Sequence, residues 1–412
     1  MRILILDANQ NQAVASVRSL ARAGHTVLAG EVTPWSKAGW SRSSHGRFQY
    51  PDPRQNSQEF VSRVAELAKV EHGTFIVPMT EATMLPLSAH RDLLHAAGAR
   101  IELPSHADLL RAVDKNTTTA LAESLGIRVP NTILISNSAQ AEQSAHAVSY
   151  PVVLKPRTSE ELDTNGVVRA TGRPRYANSP AEFRNAYEDL SARSSAVLVQ
   201  EFIRGQGCGY FALMHHGELR AEFAHRRIRD VHPTGSGSAV RESVAVQTAL
   251  REAGLSILRA LNWHGVAMVE FRQQEGKPPV FIEVNGRFWH SLPLACYAGV
   301  DFPSLLAQMA EAGDVQPVTN YRYGIRCRWF LGDVRHLVEV WRGAPAGFPE
   351  TYPGRWQTLA DVFKPVPGTV HDLFRWSDPL PELADWINFL HQVRVKKHSQ
   401  ERVHAQGRYS HS

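Results

Sequence analysis

Two apolar runs near the middle of the chain constrain its fold most, because each carries acidic or amide side chains between aliphatic residues. Residues 266–271 read Val-Ala-Met-Val-Glu-Phe, and residues 281–287 read Phe-Ile-Glu-Val-Asn-Gly-Arg. The polar stretch between them contains Gly and Pro, which predicts that the two runs form a β-hairpin. If the hairpin is symmetric about residues 276–277, Glu270 lies directly opposite Glu283.

This hairpin predicts a metal site. Side chains alternate between the two faces of a strand, so Glu283 and Asn285 share one face, with Glu270 across from them. Buried carboxylates that lie close together repel each other unless a cation sits between them. Oxygen ligands suit Mg²⁺ or Mn²⁺, which enzymes commonly hold with few carboxylates plus substrate phosphates. The alternative, two ordinary strands with solvent-facing Glu residues, fits poorly with Glu and Asn crowded beside Arg287.

Composition restricts the class of protein. At 412 residues, with 43% hydrophobic and 21% charged residues, the chain can form two or three globular domains. The sequence holds no apolar run of about 18 residues, and its N-terminal apolar run is too short for a signal peptide. Three scattered cysteines fit a reducing compartment. We therefore predict a cytoplasmic protein with no membrane partner.

The first part of the chain alternates strand and helix patterns. An apolar run at residues 3–6 is followed by a helical pattern that stops at Gly24, and then by a second strand pattern at residues 26–29. This alternation predicts an α/β domain with a doubly wound parallel sheet. A dinucleotide fold would carry Gly-x-Gly-x-x-Gly after its first strand, whereas residues 7–11 read Asp-Ala-Asn-Gln-Asn. We therefore predict no nicotinamide cofactor.

Five segments in a fixed order carry a resemblance to a known family. They are Asp114-Lys115, Pro151-Val-Val-Leu-Lys-Pro156, Gln200-Glu-Phe-Ile-Arg-Gly205, Val269-Glu-Phe271 and Glu283-Val-Asn-Gly-Arg287. Over roughly residues 1 to 315 the chain resembles ATP-grasp ligases of the branch that includes carbamoyl-phosphate synthetase and biotin carboxylase. The resemblance implies an N-terminal α/β domain (1–110), an ATP-grasp domain of two α+β subdomains that sandwich ATP (111–315, hinge near 200–205), and a small C-terminal extension of unassigned role (316–412).

The resemblance also implies roles for individual residues. Lys115 and Lys155 are similar to the lysines that contact ATP phosphates, and an ammonium on a flexible stem suits that role. Glu270, Glu283 and Asn285 are similar to the metal ligands of the family, which would hold two ions. Arg287 would face phosphate or an acyl phosphate. The adenine-binding hinge would comprise Gln200, Glu201, Phe202 and Ile203. Relatives often place a ribose-binding carboxylate just after the hinge glycine; here Gln206 or Glu201 would serve.

A basic segment at residues 225–243 is the remaining candidate for substrate binding. In strand geometry Arg227 and Arg229 share a face, and the Gly/Ser loop that includes Ser238 would offer backbone amides at the N-terminus of a helix predicted from about Arg241. Arg241, in the first turn of that helix, would add a positive charge near the acid substrate. Nucleic-acid binding is a competing interpretation that lacks an aromatic platform or a long basic stripe. A solvated charged edge is the other alternative.

Together these features predict an ATP-dependent ligase that activates a carboxylate as an acyl phosphate and joins it to an amine, releasing ADP and phosphate. The expected partners are small, amino-acid-like acids and amines, and a homodimer is the commonest form of self-association. The polar stretch at residues 157–176 would act as a flap over the site. A bicarbonate-activating carboxylase and an ATP-binding protein without turnover stay open as alternatives.

Overall fold

The computed structural model describes the backbone of residues 1–162 and 168–409, and the side chains of residues 1–160 and 170–394. Residues 163–167, in the middle of the predicted flap, lie outside the described residues. Short strands flank that stretch at Glu160–Leu162 and Val168–Ala170.

The N-terminal part is a parallel sheet with helices packed on it. Its strands are β1 (Arg2–Ile5), β2 (Thr26–Glu31), β3 (Gly46–Gln49) and β4 (Phe75–Val77). Its helices are α1 (Asn11–Arg22), a 3₁₀ turn (Ala38–Trp40), α2 (Ser57–Ala68), α3 (Glu81–Ala89), α4 (Arg91–Ala96) and α5 (His106–Val113). The strand order is β3-β2-β1-β4 and the pairs are parallel. This is the parallel α/β sheet that the alternating sequence pattern predicted.

A second, antiparallel sheet follows, with strand order β5-β10-β6-β9. Its elements, and a separate pair β7–β8, are α6 (Lys115–Ser124), β5 (Thr132–Ile135), α7 (Ser138–Ala147), β6 (Val152–Pro156), β7 (Glu160–Leu162), β8 (Val168–Ala170), β9 (Arg175–Ala177), α8 (Pro180–Ser191) and β10 (Val197–Glu201). The buried residues of β6 and β10 pack against α7 and α8 in one apolar cluster.

The largest sheet has seven strands in the order β15-β14-β11-β12-β13-β16-β17. Its elements are β11 (Gln206–His215), β12 (Glu218–His232), β13 (Ser236–Val244), α9 (Thr248–Ala260), β14 (Gly265–Gln273), β15 (Val280–Asn285), α10 (Leu292–Ala298), α11 (Phe302–Ala312), β16 (Arg326–Arg328), α12 (Phe330–Arg342), α13 (Arg355–Phe363), β17 (Val370–His371) and α14 (Leu380–Tyr409). The β14–β15 pair is the predicted hairpin, and Glu270 pairs with Glu283 as expected from its symmetry.

The prediction that a helix begins at about Arg241 is wrong for the first turns of that helix. Residues 236–244 form strand β13, and the helix begins only at Thr248. The strand forms because β13 pairs with β12 on one side and with β16 on the other. The β16 partner lies more than eighty residues further along the chain, so the local pattern did not reveal it. Long-range pairing decides the structure of this segment.

The segment after residue 316 packs against both preceding parts of the chain. It supplies β16 and β17 to the large sheet. It also contacts the N-terminal part through ion pairs from Arg18 to Asp378 and from Lys37 to Asp385, each at 2.9 Å and each nearly inaccessible to solvent. A separate apolar cluster joins Phe60 of the N-terminal part with Trp263, which lies between α9 and β14. The three-domain division stays a prediction, and the C-terminal segment is built into its neighbours.

Candidate active site

A cavity of about 970 Å³ is lined by residues of the antiparallel β5-β10-β6-β9 sheet and of the seven-stranded sheet. The sequence-predicted residues in its wall are Lys115, Lys155, Gln200, Glu201, Phe202, Ile203, Arg227, Ser238, Glu270, Glu283, Asn285 and Arg287. The structure thus brings most of the predicted site residues to one place, although they come from segments spread over more than 170 positions.

Lys115 is positioned by the cap of α6. The Asp114 side chain accepts a hydrogen bond from the backbone N–H of Asn116 at 3.0 Å, which satisfies a free donor of the first helical turn. Arg157, which follows β6, donates to the same carboxylate from Nε at 3.0 Å and so ties the helix start to the strand end. As a result the Lys115 ammonium lies 2.9 Å from Ser159 Oγ and 3.7 Å from Glu283 Oε2.

Lys155 lies near the end of β6, between buried neighbours. Burial lowers the pKa of its ammonium to about 8, with Lys115 and Arg272 acting in the same direction and Glu283 opposing them. Two lysines and an arginine around one cavity repel one another, and a polyphosphate would relieve that repulsion. The site therefore favours a strongly anionic ligand.

The three predicted metal ligands converge on the hairpin. Glu270 and Glu283 are cross-strand partners, and Asn285 Nδ2 donates to Glu283 Oε1 at 3.1 Å. Burial raises the pKa of Glu283, but Lys115 and Lys155 outweigh it, so the net pKa is lowered and the carboxylate is ionised at neutral pH. Two carboxylates and an amide oxygen therefore offer the hard oxygen donors that Mg²⁺ requires.

Arg287 connects this hairpin to the N-terminal part of the chain. Its Nη2 donates to Asn285 Oδ1 at 3.2 Å, and its Nε lies 3.8 Å from Glu81 Oε1 on α3. The guanidinium lines the cavity. It is therefore held in place from two sides while it remains open to a ligand.

The strand end at residues 200–203 forms the far side of the cavity. Gln200 Nε2 donates to Thr132 Oγ1 at 3.0 Å, which fixes that side chain against β5. Gly205 follows with φ +120°, and a Cβ there would lie 2.5 Å from the carbonyl oxygen of Gln273. Only glycine fits this close approach. Gln206, the predicted ribose ligand, is exposed and does not line the cavity among the described residues, so the structure does not bring it to the site.

The predicted substrate arginines do not act as a set. Arg227 lines the cavity and its Nη2 donates to Glu270 Oε1 at 2.8 Å. Arg229 turns away and pairs with the buried Asp333 at 2.6 Å. The expectation of a shared face fails because the β12–β13 register shifts between these two arginines.

Arg241 does not lie at a helix N-terminus. It sits within β13, is fully buried and pairs with the equally buried Asp372 of the C-terminal segment. It is not among the described residues that line the cavity. Ser238, by contrast, does line the cavity. Ser238 lies in β13, and residues 233–235 connect β12 to β13, so the helix N-terminus predicted to bind an anion at this place is replaced by a strand.

Several cavity residues escaped the sequence analysis. Arg272 donates to the carbonyl oxygens of Ile203 at 3.3 Å and of Thr234 at 3.2 Å, and so links the strand end to the Gly/Ser loop. Its position two residues after Glu270 on one strand was a usable signal. Glu339, Arg342 and Tyr352 come from α12 and the loop that follows it. No motif in the sequence pointed to them.

The family comparison adds to this geometry. Residues 193–332 match the family described as "ATP-grasp in the biosynthetic pathway with Ter operon". Over this region the chain is similar to ATP-grasp proteins, and its relatives include ligases. Its curated relatives include a D-alanine–D-alanine ligase of Nitrosomonas europaea, 26% identical over 48% of this chain and 67% of the relative. The large chain of carbamoyl phosphate synthase from Methanoculleus marisnigri is 25% identical over 56% of this chain, but over only 22% of its own length.

Solved structures show the same fold at low sequence identity. The biotin carboxylase domain of Hydrogenobacter thermophilus 2-oxoglutarate carboxylase, solved with MgADP and bicarbonate, superposes with a TM-score of 0.61 at 16% identity, covering 79% of this chain and 73% of that one. An L-amino acid ligase from Bacillus licheniformis gives 0.58 at 16% identity, covering 77% and 78%. The predicted fold class is confirmed. Among the described residues no helix is long and apolar enough to cross a membrane.

The enzyme class follows from the ligases among these relatives. These relatives support an ATP-dependent ligase of the carboxylate–amine type, and the carboxylase alternative has weaker support.

Proposed function

We propose that this ligase transfers the γ-phosphate of ATP to the carboxylate of an amino-acid-like substrate and then joins the resulting acyl group to an amine. The observation that carries the proposal is the shared cavity, in which two lysines and Arg287 face the oxygen donors of the β14–β15 hairpin. The curated relatives named D-alanine–D-alanine ligase support an amino-acid-like acid and amine.

In this proposal the cationic groups hold the nucleotide. Lys115 and Lys155 would contact the phosphates as point charges, and the planar guanidinium of Arg287 would hold the transferring group or the acyl phosphate through paired hydrogen bonds. Residues 200–203 would hold the adenine ring. Phosphoryl transfer depends mainly on positioning and charge stabilisation, which this arrangement supplies.

Glu270, Glu283 and Asn285 would hold Mg²⁺, or Mn²⁺ with the same ligands. The ionised state of Glu283 fits this role. When bound, the metal neutralises charge on the phosphates. Two carboxylates and one amide are few ligands for the two ions we propose, so phosphate oxygens and water would complete their coordination.

Unpaired polar atoms at one side of the cavity support an amino-acid-like substrate. Within the described residues, Ser238 Oγ, His225 Nδ1, His290 Nδ1 and Trp289 Nε1 are buried without a hydrogen-bond partner, and all four residues line the cavity. Burial lowers the pKa of His290 to about 3 and that of His225 well below its usual range, so both imidazoles are neutral and can accept a hydrogen bond. A substrate ammonium would supply donors to them, and the Trp289 indole would donate to a carboxylate.

The test is an assay of ADP and phosphate release against pools of amino acids, with mass spectrometry to detect new amides. We expect ADP release that depends on an acid–amine pair. Glu283→Gln should abolish it without unfolding the protein, whereas Glu275→Gln, in the exposed hairpin loop, should not. Near-normal turnover of Glu283→Gln would refute the metal assignment, and release of AMP and pyrophosphate would contradict an acyl phosphate.

The same assay separates the alternatives. ATP turnover that requires bicarbonate and no amine would favour the carboxylase. Tight ATP binding without ADP release under every condition would favour an ATP-binding protein without turnover. Sedimentation of the purified protein tests the predicted homodimer.

A further inference from the structure

Three histidines meet at the end of β11 that points away from the cavity. His215 ends β11, His216 lies in the turn to β12, and His264 directly precedes β14. Each can offer one ring nitrogen, and these nitrogens lie within 4.8 Å of one another. Gly209 of β11 pairs with Glu270, so the cluster is six strand residues, or about 20 Å, from the proposed magnesium site.

The turn that carries His216 is docked on the segment that carries His264. His216 and Gly217 form a two-residue hairpin loop, with φ of 47° and 85°. Positive φ at both positions is the geometry that matches the twist of a tight hairpin. The backbone N–H of Gly217 donates to the carbonyl of Trp263 at 2.8 Å. The imidazoles of His216 and His264 consequently stack, with ring centroids 4.2 Å apart.

His264 has the environment of a ligand. The residue is only 8% exposed, and its Nε2 hydrogen-bonds to Glu102 Oε2. Its Nδ1 is buried and has no hydrogen-bond partner in the described part of the chain. A carboxylate on one ring nitrogen fixes the imidazole and leaves the other lone pair for an ion, as is usual for metal-binding histidines. His215 Nδ1 lies 3.5 Å from Asp314 Oδ1, but that carboxylate is held by Arg220 at 2.6 Å.

We propose that His215, His216 and His264 bind a transition-metal ion such as Zn²⁺, with Glu102 orienting the His264 ring. Three imidazoles suit Zn²⁺, Cu²⁺ or Ni²⁺ and are poor ligands for Mg²⁺, so this site is chemically distinct from the oxygen-lined site in the cavity. The exposed His216 ring can turn to complete the site. The ion would link the β11–β12 turn, the segment before β14 and, through Glu102, the segment before α5. Its role would therefore be to stabilise the junction between these parts.

The test uses the full chain, freed of metal by a chelator and titrated with Zn²⁺ by calorimetry at neutral pH. We expect one tight site and a rise in the midpoint of thermal unfolding, because an ion that binds the folded state stabilises it. His216→Asn should remove the tight site, and asparagine tolerates the positive φ of that position. The matched control is His95→Asn, an exposed histidine on α4, which should bind Zn²⁺ as the wild type does.

A second variant examines the orienting carboxylate. Glu102→Gln should weaken Zn²⁺ binding by about 10–100-fold while the protein stays folded. Co²⁺ should give the visible absorption of a tetrahedral site in the wild type and not in His216→Asn. Equal Zn²⁺ affinity and equal thermal shifts in the wild type and His216→Asn would overturn the proposal and leave the three imidazoles as packed side chains that hold no metal. ADP release by His216→Asn should equal that of the wild type, because none of the three histidines lines the described cavity.

Discussion

The lowered pKa of Lys155 makes nucleotide binding depend on pH in a predictable direction. The ammonium titrates at about 8 in the free protein, against an ordinary value of 10.5. The difference corresponds to roughly 3 kcal/mol that burial and neighbouring cations cost the charged form. The folded pKa lies below the unfolded one, so this penalty on stability is complete below pH 8 and disappears as pH rises toward 10.5. The charged form of Lys155 is the one that binds phosphate, so the affinity for the nucleotide should fall as pH rises, whereas the stability of the fold should increase.

We therefore expect the dissociation constant of MgATP to be nearly constant between pH 7 and 7.5 and to rise above pH 8. A hydrogen bond to a charged group contributes about 1.5–3 kcal/mol, so loss of the ammonium should weaken binding by roughly tenfold to a hundredfold. Binding can be followed through tryptophan fluorescence, since Trp289 lines the cavity. No knowledge of the acid or amine is needed.

Lys155→Arg is the matched variant. A guanidinium stays charged throughout this range, so the pH dependence above 8 should vanish even if the affinity at pH 7 is reduced. Wild-type affinity that stays flat to pH 9.5 would refute the lowered pKa. A fall above pH 8 that persists in Lys155→Arg would assign the titration to another group.

Two further predictions concern positions that the structure reinterprets. Asp372→Asn should lower the free energy of unfolding, measured in urea, by about 3–5 kcal/mol, because it leaves buried Arg241 without its charge partner. A loss of ATP affinity at unchanged stability would instead indicate that Arg241 acts in catalysis. Gly205→Ala should destabilise the protein by roughly 1–3 kcal/mol more than Gly276→Ala, since both have positive φ but only the first would contact backbone. Equal unfolding midpoints for the two glycine variants would show that the strand end relaxes freely.

The hairpin was predictable because its signals are local. Period-two alternation and the turn residues between the strands fix which residues face each other, and Glu270 indeed pairs with Glu283. The lysines were assigned through the family resemblance, and both line the cavity: Lys115 follows the cap of α6 and Lys155 lies near the end of β6.

The wrong predictions share a cause, which is that the deciding contacts are long-range and not local. Arg241 was placed on a helix because Ser and Gly precede it, but its partner Asp372 is 131 positions away. Arg229 was expected to share a face with Arg227, but the β12–β13 register shifts between them. In both cases tertiary pairing overrides the local pattern. No single-sequence pattern contains that information.

Two arginines of the basic segment at 225–229 have different roles, and the role of Arg229 explains how the C-terminal segment is held at the cavity. Arg227 faces the cavity and binds Glu270, whereas Arg229 holds the buried Asp333 in the first turn of α12. A helix rises about 1.5 Å per residue, so fixing Asp333 also fixes Glu339 and Arg342 about 9 and 14 Å further along, where both line the cavity. Arg229 thus shapes the site without lining it. The C-terminal segment anchored in this way therefore forms part of the cavity wall.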